Sequence, residues 1–142
     1  MKLFKLFIPV LMLMFCIPAL ADHDRIITFE QLPATAQTFL TEHFADKTPA
    51  IVKVDNDDYT VIYNSGEEVE FTKRGEWKSV DCRMTAVPDV LVPQEIKTQV
   101  DARYPGSLIT KISKDRKGYE IELSNGLDIE FNRNFVIVDI DD

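Results

Sequence analysis

Carboxylates are the chemistry-bearing residues of this 142-residue chain. It holds 24 Asp and Glu against 16 Lys and Arg, a formal net charge of −8. Asp55, Asp57 and Asp58 crowd one turn, and Asp139, Asp141 and Asp142 end the chain. Hard oxygen ligands at alternating positions suit calcium. Counted from Asp55, however, the position that an EF-hand reserves for glycine is Thr60, and the position for the bidentate glutamate is Gly66. Sixty residues on, the matching turn carries Arg116 and Lys117, which repel a cation. These acids are therefore weak metal candidates, and a solvated acidic turn is the plainer reading.

Other catalytic chemistry is sparse. The two histidines are His23, near the N-terminus, and His43 on an expected helix. The chain has no His-Glu-x-x-His, no Gly-x-Ser-x-Gly, no Cys-x-x-Cys and no phosphate-cradling glycine loop. Carboxylate pairs such as Glu120 and Glu122 are common, but no local pattern sets two of them apart as acid and base. The expectation is a non-enzymatic protein without a cofactor. The negative balance disfavours nucleic acid, which needs a basic patch, and anionic lipid. Solubility alone is one reading of the acidity; a cationic partner or a divalent ion is the other.

Residues 1–21 read as a secretory signal. Lys2 and Lys5 are followed by an apolar run from Leu6 to Cys16, broken only by Pro9, and by the small-x-small pair Ala19 and Ala21. The run is shorter than the ~20 residues of a membrane span, so no stable anchor is expected after cleavage. Phe15 stands before Cys16 where lipidation requires a small residue. The expected location is the periplasm or the medium. Once the signal is removed Cys82 is the sole cysteine, so no intramolecular disulfide can form and the core must supply the stability.

The elements that would carry the acids repeat at a spacing of 60. Residues 33–82 align without gaps on residues 93–142, with identities that include Pro33/Pro93, Tyr59/Tyr119, Gly66/Gly126, Glu70/Glu130 and Phe71/Phe131. Each unit reads as a helix opened by proline, with stripes Ala36-Leu40-Phe44 and Ile96-Val100-Tyr104, then four strands joined by short turns. The fold class is α+β: a tandem repeat of helix plus four-stranded antiparallel meander, spanning residues 22–84 and 85–142 in one domain. The strands join into one extended sheet with helices on one face.

Alternation separates the faces. Tyr59, Val61, Tyr63, Val69 and Phe71 point to the helices, as do Tyr119, Ile121, Leu123, Ile129 and Phe131. The opposite face carries Ile62, Glu68, Glu70, Glu120, Glu122, Asp128 and Glu130. The fourth strand is open to two readings. If Val80 and Ile140 point inward, strict alternation puts Trp77 and Ile137 outward among the acids, where a tryptophan would anchor an interface; otherwise Trp77 is core.

These features resemble the PepSY-like family of exported bacterial proteins, also called β-lactamase-inhibitor-like. The features concerned are the signal, the duplicated helix-plus-meander, the helix starts Leu32-Pro33 and Val92-Pro93, and the patterns Tyr59…Gly66…Glu70-Phe71 and Tyr119…Gly126…Glu130-Phe131. The resemblance implies a slightly concave sheet and a protein partner, since the inhibitor for which the fold is named grips an enzyme with that face. Some members are labelled calcium-regulated. The expected function is a periplasmic protein-binding module, an inhibitor of an exported enzyme among the options, using Ile62, Glu68, Glu70, Trp77, Glu120, Glu122, Asp128 and Glu130; the alternative is calcium or small-ligand binding. Mass spectrometry of the exported protein should find Asp22 as its first residue, and retention of residues 1–21 would overturn the signal assignment.

Overall fold

The computed structural model describes residues 24–56 and 58–142. The signal segment, His23 and Asp57 lie outside the described residues. Nine strands form one antiparallel sheet in simple sequence order: β1 (Arg25–Ile26), β2 (Pro49–Asp55), β3 (Asp58–Tyr63), β4 (Glu68–Phe71), β5 (Trp77–Asp81), β6 (Ile109–Lys114), β7 (Gly118–Leu123), β8 (Asp128–Asn132) and β9 (Ile137–Asp141). Helix α1 (Ala34–His43) precedes β2, and helix α2 (Gln94–Arg103) precedes β6. Among the described residues no helix is long and apolar enough to cross a membrane.

Pro33 and Pro93 occupy the cap position just before each helix, where a missing N–H is harmless and the fixed φ sets the entry. Pro49 starts β2, the place in a sheet where proline is tolerated. The sequence reading anticipated eight strands. The ninth, β1, is two residues long and pairs Arg25 with Val54 and Ile26 with Lys53; a segment so short carries no periodic signal.

The two helix-plus-meander segments meet where β5 pairs with β6, through Ser79–Ser113, Val80–Ile112 and Asp81–Lys111. The apolar layer runs across this seam without a break. Ala36 and Leu40 of α1, Ile96 and Val100 of α2, and Val61, Val69, Phe71, Val80, Ile112, Ile121 and Ile129 of the sheet belong to one buried cluster. Both helices therefore lie on the same face. Each large side chain in that layer stabilises the fold by roughly 1.5–3 kcal/mol.

Two features bind the turns to the layer. Gly75 sits at φ +82° with its Cα against the start of α1; a Cβ there would lie 2.8 Å from Cβ of Pro33. Gly118 opens β7 so close to β8 that a Cβ would stand 1.9 Å from the carbonyl oxygen of Phe131. A side chain at either position requires the backbone to move.

Strict alternation fails on the fourth strand, and the reason is a β-bulge. Phe71 pairs with Trp77 while Glu70 pairs with Ser79, so Lys78 is an extra residue. Trp77 and Val80 consequently both face the helices. The Trp77 ring stacks on Phe39 of α1 at 6.4 Å, and the Lys114 ammonium lies 3.9 Å above its centroid. Trp77 is thus removed from the acidic face to which strict alternation assigned it. The same bulge recurs at β8–β9, where Phe131 pairs with Ile137, Glu130 with Asp139, and Val138 is the extra residue. Phe71→Ala should destabilise the fold by about 3–5 kcal/mol and Trp77→Ala by about 3 kcal/mol in urea unfolding; a neutral Trp77→Ala would contradict its packing against α1.

Candidate functional site

The face opposite the helices is uncovered, and the strand register lays its side chains out in rows. One row crosses all nine strands: Ile26, Lys53, Thr60, Glu70, Ser79, Ser113, Glu120, Glu130 and Asp139. A second runs from Ile51 and Ile62 through Glu68, Asp81, Lys111, Glu122 and Asp128 to Asp141.

Seven of the eight residues singled out from sequence lie on this face, and they fall into two environments. In the first half the acids are met by cations. Lys53 pairs with Asp24 at 2.8 Å, and Lys78 bonds to Asp58. Arg83, held at φ +59°, reaches Glu68 at 3.4 Å and Asp81 at 3.5 Å. Lys111 stands across from Asp81 on one side and Glu122 on the other. Glu68, Glu70, Ser79, Asp81, Arg83 and Lys111 line a hollow of about 230 Å³.

The second half is different. Glu120, Glu130 and Asp139 stand directly opposite one another on β7, β8 and β9, and Glu122, Asp128 and Asp141 form a parallel row. All six are exposed, and the ion pairs among the described residues involve none of them. Like charges placed opposite each other in a sheet destabilise it. Beside them, a hollow of about 330 Å³ is lined by Glu120, Glu130 and Val138 together with Lys114, Asp115 and Lys117. Asp139 and Asp141 were not among the partner-binding residues read from sequence, because the bulge at Val138 hides their phase.

Of the weak metal candidates, Asp57 lies outside the described residues. Asp55 and Asp58 face each other across β2 and β3, but Asp58 is engaged by the Lys78 ammonium. Among the described residues no group of three His, Cys, Asp or Glu side chains is placed to hold a metal ion.

One polar cluster escaped the sequence reading. Glu67 is 5% exposed, accepts a hydrogen bond from the Ser65 hydroxyl and pairs with Lys47 at 2.8 Å. Burial works against its carboxylate, but Lys47, Ser65 and its own backbone N–H outweigh this and hold the pKa below the usual range. The bond to Glu67 raises the pKa of Lys47. Nearby, burial, reinforced by the Glu67 charge, pushes Tyr63 up to about 12. Burial, with the charges of Glu67 and Asp81, pushes Cys82 up to about 11. A thiol so poorly ionised near neutral pH is a packed residue and a weak nucleophile. The partners Ser65 and Lys47 lie in turns, where no periodicity could have pointed to Glu67.

Comparisons with known proteins agree with this architecture. A family profile described as "Putative beta-lactamase-inhibitor-like, PepSY-like" matches residues 57–139. A crystal structure of a "putative periplasmic protein" of the DUF2874 family from Bacteroides vulgatus is 43% identical, with a TM-score of 0.82, covering 86% of this chain and 99% of its own. A "putative calcium-regulated periplasmic protein" from Bacteroides thetaiotaomicron is 40% identical, with the same coverage and TM-score. A third, a "putative periplasmic protein of unknown function" from Bacteroides vulgatus, is 33% identical with a TM-score of 0.80, covering 84% of this chain and 99% of its own. No curated protein matches the sequence.

The buried cluster contributes to the pH dependence of stability. Glu67 titrates lower when folded than when unfolded, so its contribution is present above about pH 4.3 and is lost as the pH falls through the folded value. Cys82 and Tyr63 titrate higher when folded, so theirs is present below about pH 8.5 and 10 and is lost as the pH rises towards 11 and 12. Urea midpoints should therefore form a plateau that falls on both sides. Glu67→Gln should lower the plateau and flatten the acid limb; an acid limb unchanged by Glu67→Gln would contradict the assignment.

Proposed function

From the premise that the chain belongs to the PepSY-like, β-lactamase-inhibitor-like family and is a periplasmic protein, we propose that it is a non-enzymatic module that binds a cationic protein through its open sheet face, and that it inhibits an exported enzyme by doing so. We also read the two helix-plus-meander units as copies of one ancestral unit, brought side by side to widen that face. The observation that carries the binding reading is the pair of exposed carboxylate rows on β7, β8 and β9, whose members none of the ion pairs among the described residues engages. Charge of one sign on an uncovered face steers a complementary partner and rejects others. Ile62 and Ile51, paired on the same face, supply apolar area at its far end, on β2 and β3. Trp77 has no part in this interface, because it packs beneath α1.

Calcium is a second reading, supported by the wording of one neighbour, a "calcium-regulated" protein. A melting shift on adding calcium, reversed by chelator, supports it; an unchanged melt at millimolar calcium removes it.

The binding reading is tested by affinity capture from periplasmic extract, followed by purification of the captured protein and titration against the wild type and Glu120→Lys/Glu130→Lys. The double variant should keep the melting temperature and lose at least about tenfold in affinity, an effect that high salt reproduces in the wild type. Equal affinity of both forms would remove the acidic face from the interface.

A further inference from the structure

The sheet has two ends, and they are not alike. At one end β1 is two residues long. At the other, β9 runs from Ile137 to Asp141, and among the described residues no strand lies beyond it. Its outward N–H and C=O groups thus have no strand partner, and an edge of that kind is a template for a further strand.

We propose that the outer edge of β9 receives an extended segment of the partner as a tenth strand, and that in this segment Lys or Arg alternates with apolar residues. The inference rests on the reading of the acidic face given above and names the partner's chemistry.

Two observations fix the alternation. On the helix side, the apolar layer runs out to the edge unfinished. Ile140 is 42% exposed, whereas Ile129, its cross-strand neighbour on β8, is buried. An apolar side chain on an added strand would stand beside Ile140 and continue the layer. On the open side, Asp139 and Asp141 are the last members of the two carboxylate rows. The next position in either row faces a line of three carboxylates, which a cation satisfies and an anion does not. Residues on a strand point to alternate faces, so both demands are met together by a basic–apolar repeat.

The same charges argue against a second copy of this chain. An antiparallel pairing of two β9 edges would bring Asp139, Asp141 and Asp142 of one copy against those of the other, and like charges across a strand pair repel. The edge is closed to its own kind and open to a basic strand.

The probe is a blocked peptide of alternating lysine and valine, with two controls: alternating glutamate and valine, and the lysine peptide methylated on every backbone nitrogen. Amide hydrogen exchange of residues 137–141 reads the edge directly. The lysine peptide should slow exchange there roughly tenfold or more, and neither control should do so. Asp139→Lys/Asp141→Lys, with an unchanged melt, should weaken peptide binding about tenfold or more, and Asp139→Asn/Asp141→Asn should weaken it less. If the methylated peptide binds equally, with changes confined to β7 and β8, the edge inference falls while the acidic-face reading stands. Absence of binding by the lysine peptide also overturns the edge inference, whereas the acidic-face reading falls only if Glu120→Lys/Glu130→Lys leaves partner affinity intact. Sedimentation should find a monomer; a dimer with β9 already protected would overturn the proposal in favour of self-pairing.

Discussion

Two short helices cannot cover nine strands, and most of this molecule follows from that mismatch. Each helix has ten residues, about 15 Å of length. The sheet, at about 4.8 Å per strand, is about 38 Å across. Laid side by side in any orientation, the helices roof at most about 30 Å of one face. The consequences are visible in the burial. The central strands are dry on the helix side, while Ile140 at the β9 margin stays exposed. The second face has no roof at all, and apart from Ile26, Ile51 and Ile62 at the β1–β3 end its two rows are polar.

How legible this was in the sequence depended on how local each cause was. Apolar spacing on α1 and α2, and turn residues every few positions, mark the helices and eight strands to within a few residues. The two carboxylate sets Glu120/Glu122 and Asp128/Glu130 follow directly from a period of two. Trp77 did not follow, because its orientation depends on a bulge at Lys78 that is a property of the strand pair rather than of either strand. Asp139 and Asp141 were obscured by the same device at Val138. Arg83, which pairs with Glu68 and Asp81, and Lys111, which stands opposite Asp81, come from a linker and from a strand of the other unit. Lys111 is brought to Asp81 only once β5 and β6 are joined.

The two halves divide the physical tasks. The first encloses a satisfied polar cluster around Glu67 and balances its open-face acids with Lys78 and Arg83. Sixty residues on, Glu67 gives way to Leu127 and Lys47 to Ser107, so the second half holds no such buried pair. Its charges are instead collected on the open face. The pairing of β5 with β6 makes the sheet continuous from the balanced half to the unbalanced one.

Rows of like charge survive on a free sheet because water screens them. Two unit charges about 5 Å apart repel by only about 0.8 kcal/mol in bulk water, and at physiological salt the screening length is about 8 Å. The six carboxylates therefore lower stability by an amount the shared apolar core readily offsets. In the complex proposed above, a partner closing over the face would expel water and change that balance. At an effective dielectric near 20 the same separation is worth about 3 kcal/mol per pair, unfavourable where the partner is neutral or acidic and favourable where it supplies cations. An arrangement that costs little in the free protein would discriminate strongly in the complex proposed above, most of all at β8 and β9, where the carboxylate rows end at an open strand edge.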